Sequence, residues 1–301
     1  MMNRRELVLS SATGTAALAP GTTDANATPA QAQATPRAGT LVESGYLPIG
    51  ELEMYFEVHG QGEPLLLLHG AFGSFTSIFS ELLPLFSRTR TVIGLDQQGH
   101  GRTGDIDRPF TFIQMAEDTA AALAALKIES ADVFGYSDGG NVALGLALAH
   151  PKRVRKLVIA GTNWNNQGVH PEVLEGMQTF QPSDFPIEFR QMWEDESPNP
   201  EDFDTVFRKT MRLGVEFPGW NPSIIAAIAS PLLCIIGDSD VVIPEHAIDL
   251  FRLLGGAVPG DNVGLPASQL SILPGTTHIS LITKTLELFN QITAFLDAPV
   301  S

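Results

Sequence analysis

Ala131-Asp132-Val133-Phe134-Gly135-Tyr136-Ser137-Asp138-Gly139-Gly140-Asn141-Val142-Ala143-Leu144 carries the most specific pattern in the chain. Residues 131–136 are a short, mostly apolar run that reads as a strand. Residues 141–149 place apolar side chains at helical spacing. Between them, residues 135–139 fit G-x-S-x-G, a serine on a sharp strand-to-helix bend. Small residues must flank such a serine so that the backbone can fold back and leave the hydroxyl clear. The helix that follows directs partial positive charge at the bend. The pattern predicts Ser137 as a nucleophile.

Working outward, residues 52–58 alternate in a strand-like way. Residues 65–68, 91–95, 133–136, 157–160, 232–236 and 270–273 are short apolar runs near turn residues. Runs apolar throughout suit strands covered on both faces. Helical patterns fall at 113–126, 141–149, 245–254 and 281–296. Alternating strands and helices predict an α/β fold with a doubly wound, mostly parallel sheet. Residues 163–226 break this rhythm: they are rich in aromatic and acidic residues, with helical patterns at 171–179 and 201–213 and no convincing strand. Disordered segments are poor in aromatics. The expected organisation is a core over 45–162 and 227–298, with a helical cap over 163–226.

A serine hydroxyl needs a base, and the base needs an orienting acid. The chain order expected for this fold is serine, then acid, then histidine. Four histidines follow Ser137; His150 ends a helix, His170 lies in the expected cap and His246 lies on a helix. His278 alone follows a late strand, in Thr276-Thr277-His278, and is the expected base. Asp240 follows the strand ending near residue 236 and is the expected acid, with Asp238 left to satisfy backbone donors of its loop. The developing oxyanion needs preorganised donors. The N–H of Asp138 is one; Ala71 in the glycine-bearing loop His69-Gly70-Ala71-Phe72-Gly73 is the second, with Phe72 as the alternative. His69, which precedes the serine, is expected to brace that loop.

The chemistry this predicts is two-step acyl transfer, with neither metal nor cofactor required. Phe72, Asp138, Trp164 and Trp220 are expected at the substrate. The aromatic cap suggests esters of small to medium, apolar or aryl character. A lactone, an amide or a C–C bond would serve the same triad. The lone Cys234 sits inside an apolar strand-like run, where it reads as a small buried hydrophobe.

The chain has 301 residues and a formal net charge of −16, from 18 Lys and Arg against 34 Asp and Glu. Within residues 1–34, Arg4, Arg5, Glu6 and Asp24 cancel, so the acid excess lies in the rest. Such a surface repels nucleic acid and anionic lipid, and no apolar run is long enough to insert in a membrane. A small-molecule partner is expected instead. Arg4-Arg5 before a mild apolar stretch, with Ala32-Gln33-Ala34 as a small-residue cleavage point, predicts a twin-arginine export signal over 1–34. The protein would then be periplasmic or secreted, the alternative being a cytoplasmic tail. Residues 35–44 are expected to be a disordered linker.

With Ser137, Asp240 and His278 in this order, residues 45–297 resemble the α/β-hydrolase superfamily. Leu68-His69-Gly70 is similar to its oxyanion-loop signature. Residues 96–103 are similar to its D-x-x-G-x-G-x-S segment, with Thr103 where serine is usual. Ser137-Asp138-Gly139-Gly140 and the loop at 69–74 resemble the biphenyl-hydrolase-like and valacyclovir-hydrolase-type serine esterases. That resemblance implies that Asp138 can pair with a substrate ammonium group. The sequence over 163–226 departs from those enzymes, as does the loop-like stretch at 255–267.

Overall fold

The computed structural model describes residues 40–299. The export signal expected over 1–34, and the first part of the linker expected after it, lie outside the described residues. Eight strands form one sheet in the order β1-β2-β4-β3-β5-β6-β7-β8. They are β1 (Leu41–Ile49), β2 (Leu52–Gly60), β3 (Glu63–Leu68), β4 (Arg90–Leu95), β5 (Ala131–Tyr136), β6 (Val154–Ala160), β7 (Leu232–Ser239) and β8 (Gln269–Thr277). β1 pairs antiparallel with β2, and β2 antiparallel with β4; every other pairing is parallel. The sheet is therefore the mostly parallel α/β sheet that the alternating apolar runs predict.

The two apolar layers follow from the strand period of two. Leu66 and Leu68 of β3 join one buried cluster, and Leu65 and Leu67 join the other on the opposite face. All four are fully buried, as a central parallel strand requires. The longer helices are α1 (Phe112–Ala125), α2 (Asp138–Ala149), α3 (Pro171–Thr179), α4 (Ile187–Glu196), α5 (Phe203–Glu216), α6 (Pro244–Leu253) and α7 (Thr285–Asp297). Among the described residues, no helix is long and apolar enough to cross a membrane.

Three differences from the sequence reading have local causes. Leu41–Ile49 is a strand, so 41–44 are not linker. It is an edge strand, mostly exposed, and leaves no apolar alternation to read. α2 starts at Asp138, because the bend consumes only Ser137 and the two glycines already belong to the helix. α4 has no sequence counterpart, since Trp193 is its only buried residue.

Between β6 and β7 lie α3, α4 and α5. α5 buries Phe203, Val206, Phe207, Thr210 and Leu213, the i, i+3, i+4 spacing of one helix face. Phe203 and Phe207 meet Phe72 and Phe185 in an aromatic cluster, with the Phe72 and Phe185 centroids 4.6 Å apart.

Candidate active site

β5 delivers Ser137 to the carboxyl end of the sheet, where α/β folds place their ligand crevice. Ser137 adopts φ 55° and ψ −122°, a left-handed conformation that costs a non-glycine residue roughly 1–3 kcal/mol. Packing and hydrogen bonds hold it there. Its N–H donates to Ala160 O at 2.8 Å, and Thr162 Oγ1 donates to its carbonyl at 3.1 Å. Gly135 and Gly139 allow the bend to close: a Cβ on Gly135 would lie 2.3 Å from Gly139 O, and one on Gly139 2.1 Å from Leu68 O.

The structure brings Ser137, His278 and Asp240 together. Ser137 Oγ lies 3.0 Å from His278 Nε2, and His278 Nδ1 lies 2.7 Å from Asp240 Oδ1. Asp240 is buried, and its carboxylate also accepts from Val242 N at 3.2 Å and Gly237 N at 3.5 Å. Those bonds fix which oxygen faces the imidazole. Nδ1 therefore donates to Asp240, leaving Nε2 free to accept the serine proton. Asp238 takes the other role: it accepts from Gly275 N at 3.0 Å and Thr276 N at 3.1 Å, which lowers its pKa.

The loop after β3 is braced by His69. Its Nδ1 donates to Gly70 O at 2.8 Å, and its Nε2 accepts from Gln97 N at 3.0 Å. One nitrogen donates and the other accepts, so the ring is neutral, and burial lowers its pKa to about 4. Gly70 packs against the elbow; a Cβ there would stand 2.9 Å from Ser137 Cβ. Ala71 lines the cavity that contains Ser137 and His278. The N–H of Asp138 opens α2 and has no intrahelical acceptor.

That cavity is about 170 Å³. Its lining includes Ser137, Asp138, His278, Phe112, Met177 and Phe217. Burial raises the Asp138 pKa to about 6, with the His278 imidazole pulling the other way. Three side chains expected at the substrate lie outside this cavity. The Phe72 ring is taken up by the aromatic cluster on α5. Trp164 stacks on His246 with centroids 4.8 Å apart and is not in the cavity wall. Trp220 lines an outer groove and donates its indole N–H to Asn141 Oδ1 at 3.1 Å.

Sequence reasoning missed Tyr136, whose hydroxyl donates to His278 O at 2.9 Å while its ring stacks on the imidazole. Its place directly before the serine was the available signal, but β8 lies three strands from β5 in the sheet, and only the turn into His278 after β8 brings that carbonyl within its reach. His246 was also missed. Its Nε2 accepts from Trp164 N at 3.0 Å, tying the end of β6 to the helix that follows the Asp240 loop. Burial lowers its pKa to about 4, which suits that acceptor role.

Comparison with known proteins agrees with this architecture. The family described as "alpha/beta hydrolase fold" matches residues 63–200. A 2-hydroxymuconate semialdehyde hydrolase of Pseudomonas putida is 32% identical over 225 residues, covering 63% of this chain and 75% of that protein. The serine hydrolase BPHL of Homo sapiens is 33% identical over 130 residues, 42% of this chain and 45% of that protein. The chain spans less than half the length of several such relatives. Among solved structures, the enol-lactonase of Burkholderia xenovorans superposes with a TM-score of 0.65 at 18% identity, over 84% of this chain and 100% of that one. A hydrolase of Pseudomonas aeruginosa gives 0.65 at 20%, over 85% and 99%. The chain belongs to the α/β-hydrolase fold family.

Proposed function

We propose that the protein is a serine hydrolase that cleaves carboxylic esters of small-molecule substrates through an acyl-enzyme. The observation that carries this reading is the hydrogen-bonded series from Ser137 Oγ through His278 to Asp240, at 3.0 Å and 2.7 Å. His278 Nε2 takes the Ser137 proton as Oγ bonds to the ester carbonyl carbon. The N–H groups of Asp138 and Ala71 receive the charge that develops on the carbonyl oxygen. The C–O bond breaks, and His278 returns the proton to the departing alcohol. Water then repeats the sequence on the acyl-enzyme and releases the acid. Asp240 holds the imidazole tautomer and stabilises the imidazolium.

The cavity's apolar lining favours apolar or aryl groups next to the carbonyl. The carboxylate of Asp138 in the same wall supports a second reading, esters that carry an ammonium group. The test is a panel of p-nitrophenyl esters, lactones and anilides on the wild type and Ser137→Ala. Ser137→Ala should lose roughly 10³-fold or more of the ester turnover and all labelling by a fluorophosphonate probe. Retained turnover would remove Ser137 from the nucleophile role, and a preference for anilides or lactones would replace the ester assignment.

A further inference from the structure

A cavity of about 170 Å³ is small for a ligand pocket. An enclosed apolar space of roughly 150 Å³ accommodates benzene, whereas ligand pockets more often span roughly 300–1,000 Å³. A second depression of about 730 Å³ lies outside it, walled by residues 107–113 and by the stretch from the middle of α5 to residue 224. Its surface is largely apolar; Ile113 is 63% exposed and Ile224 50%. The basic residues along it are already paired: Arg108 with Asp118, Lys209 with Asp105 at 2.6 Å, and Arg212 with Glu216 at 3.7 Å. With Asp107 and Glu216 also in its wall the groove disfavours anions, and its largely apolar surface suits an apolar occupant.

Phe112 and Phe217 line both spaces. Their rings meet edge to face, with centroids 4.8 Å apart and planes at 86°. Phe112 is the first residue of α1 and is buried in the core. Phe217 is half-buried, just past the end of α5. The chain on either side of it is tethered: Phe217 N donates to Leu213 O at 3.0 Å, and Trp220 N donates to Trp164 O at 2.8 Å. The least costly opening is therefore a rotamer change of the Phe217 ring, with the backbone left in place.

We infer that the Phe217 ring is a gate between the Ser137 cavity and this groove, and that the groove receives the apolar acyl tail of the ester. The inference rests on the serine-ester reading above. The acyl side is assigned by direction. His278, which protonates the leaving alcohol, enters from the end of β8. The gate instead flanks α2, on which Trp220 is anchored at Asn141. A tail leading away from the leaving group thus meets Phe217. Each methylene buried in the groove is worth roughly threefold to fourfold in kcat/KM.

The experiment is a series of p-nitrophenyl esters from acetate to decanoate, run on the wild type, Phe217→Ala and Ile224→Arg. The readout is the ratio of kcat/KM for decanoate to that for acetate. Phe217→Ala should raise the ratio about tenfold by removing the gate, and Ile224→Arg should lower it about tenfold by charging the groove. Ile224 is exposed, so its variant tests the groove without a risk to folding. If both ratios stay within about twofold of wild type while fluorophosphonate still labels Ser137, the gate and groove are overturned and the nucleophile stands. If the unsubstituted protein is not labelled, the ester reading itself fails.

Discussion

Asp138 places a carboxylate in the wall of the reaction cavity, where burial holds its pKa near 6. An unfolded chain would release the same proton near pH 4. The folded state therefore binds this proton more tightly. Its stabilising effect is full below pH 4, drains as pH rises from about 4 to 6, and is gone above that. Asp138→Asn removes the titration. Its midpoint of thermal unfolding should exceed the wild type's at pH 8 by the equivalent of roughly 1–3 kcal/mol, and the gain should shrink toward zero near pH 4. A gain of equal size at both pH values would show that the desolvated charge is not its source. The same charge has a functional reading. Preference for an amino ester over its neutral isostere should grow between pH 5 and 7.5 in the wild type and disappear in Asp138→Asn. A preference that survives the substitution would place the ammonium elsewhere.

At the scale of elements, the elbow was the most legible feature. Residues 131–136 and the helix after them carry their own strand and helix periods, and Ser137 stands between them. Asp240 and His278 were readable because each follows an apolar strand and the fold places both strand ends beside the serine. The cavity wall was not readable in the same way. Trp164 and Trp220 are aromatic, but their indole N–H groups bond to His246 O and Asn141 Oδ1, which keeps both out of the wall around Ser137. The lining instead includes Met177 and Phe217, whose positions depend on how α3 and α5 pack.

Asp132, at the opposite end of β5, was equally hidden. It is fully buried between Arg90 and Arg155, and Arg90 also reaches Asp297 at the end of α7. Beside them Lys156 Nζ donates to Phe295 O at 2.7 Å and Leu296 O at 3.2 Å, capping α7. Asp132→Ala would leave two guanidinium groups without their shared partner. It should cost about 3 kcal/mol and lower the melting temperature by roughly 6–12 °C. The lost contacts lie about 17 Å of strand away from Ser137, so kcat of the folded enzyme at 20 °C should not change. A melting temperature within about 2 °C of wild type would show that the cluster adds little beyond its own desolvation cost.

For the whole molecule the largest electrostatic fact is the net charge of −16. A field of that sign concentrates cations and depletes anions near the surface, and salt erases the effect over a Debye length of roughly 10 Å at 0.1 M. Between 20 and 500 mM NaCl, kcat/KM for a cationic aryl ester should fall by about twofold to fivefold. An anionic analogue should rise by a similar factor, and a neutral one should stay level. Asp138 contributes one negative charge of the excess, so Asp138→Asn should keep nearly the full salt response while losing the pH-dependent preference for the amino ester. Long-range attraction and local pairing are thereby separable: the first follows ionic strength, the second follows a single proton. If the cationic ester responds to salt in the wild type but not in Asp138→Asn, the carboxylate in the cavity accounts for the whole attraction, and the remaining acidic surface serves solubility alone.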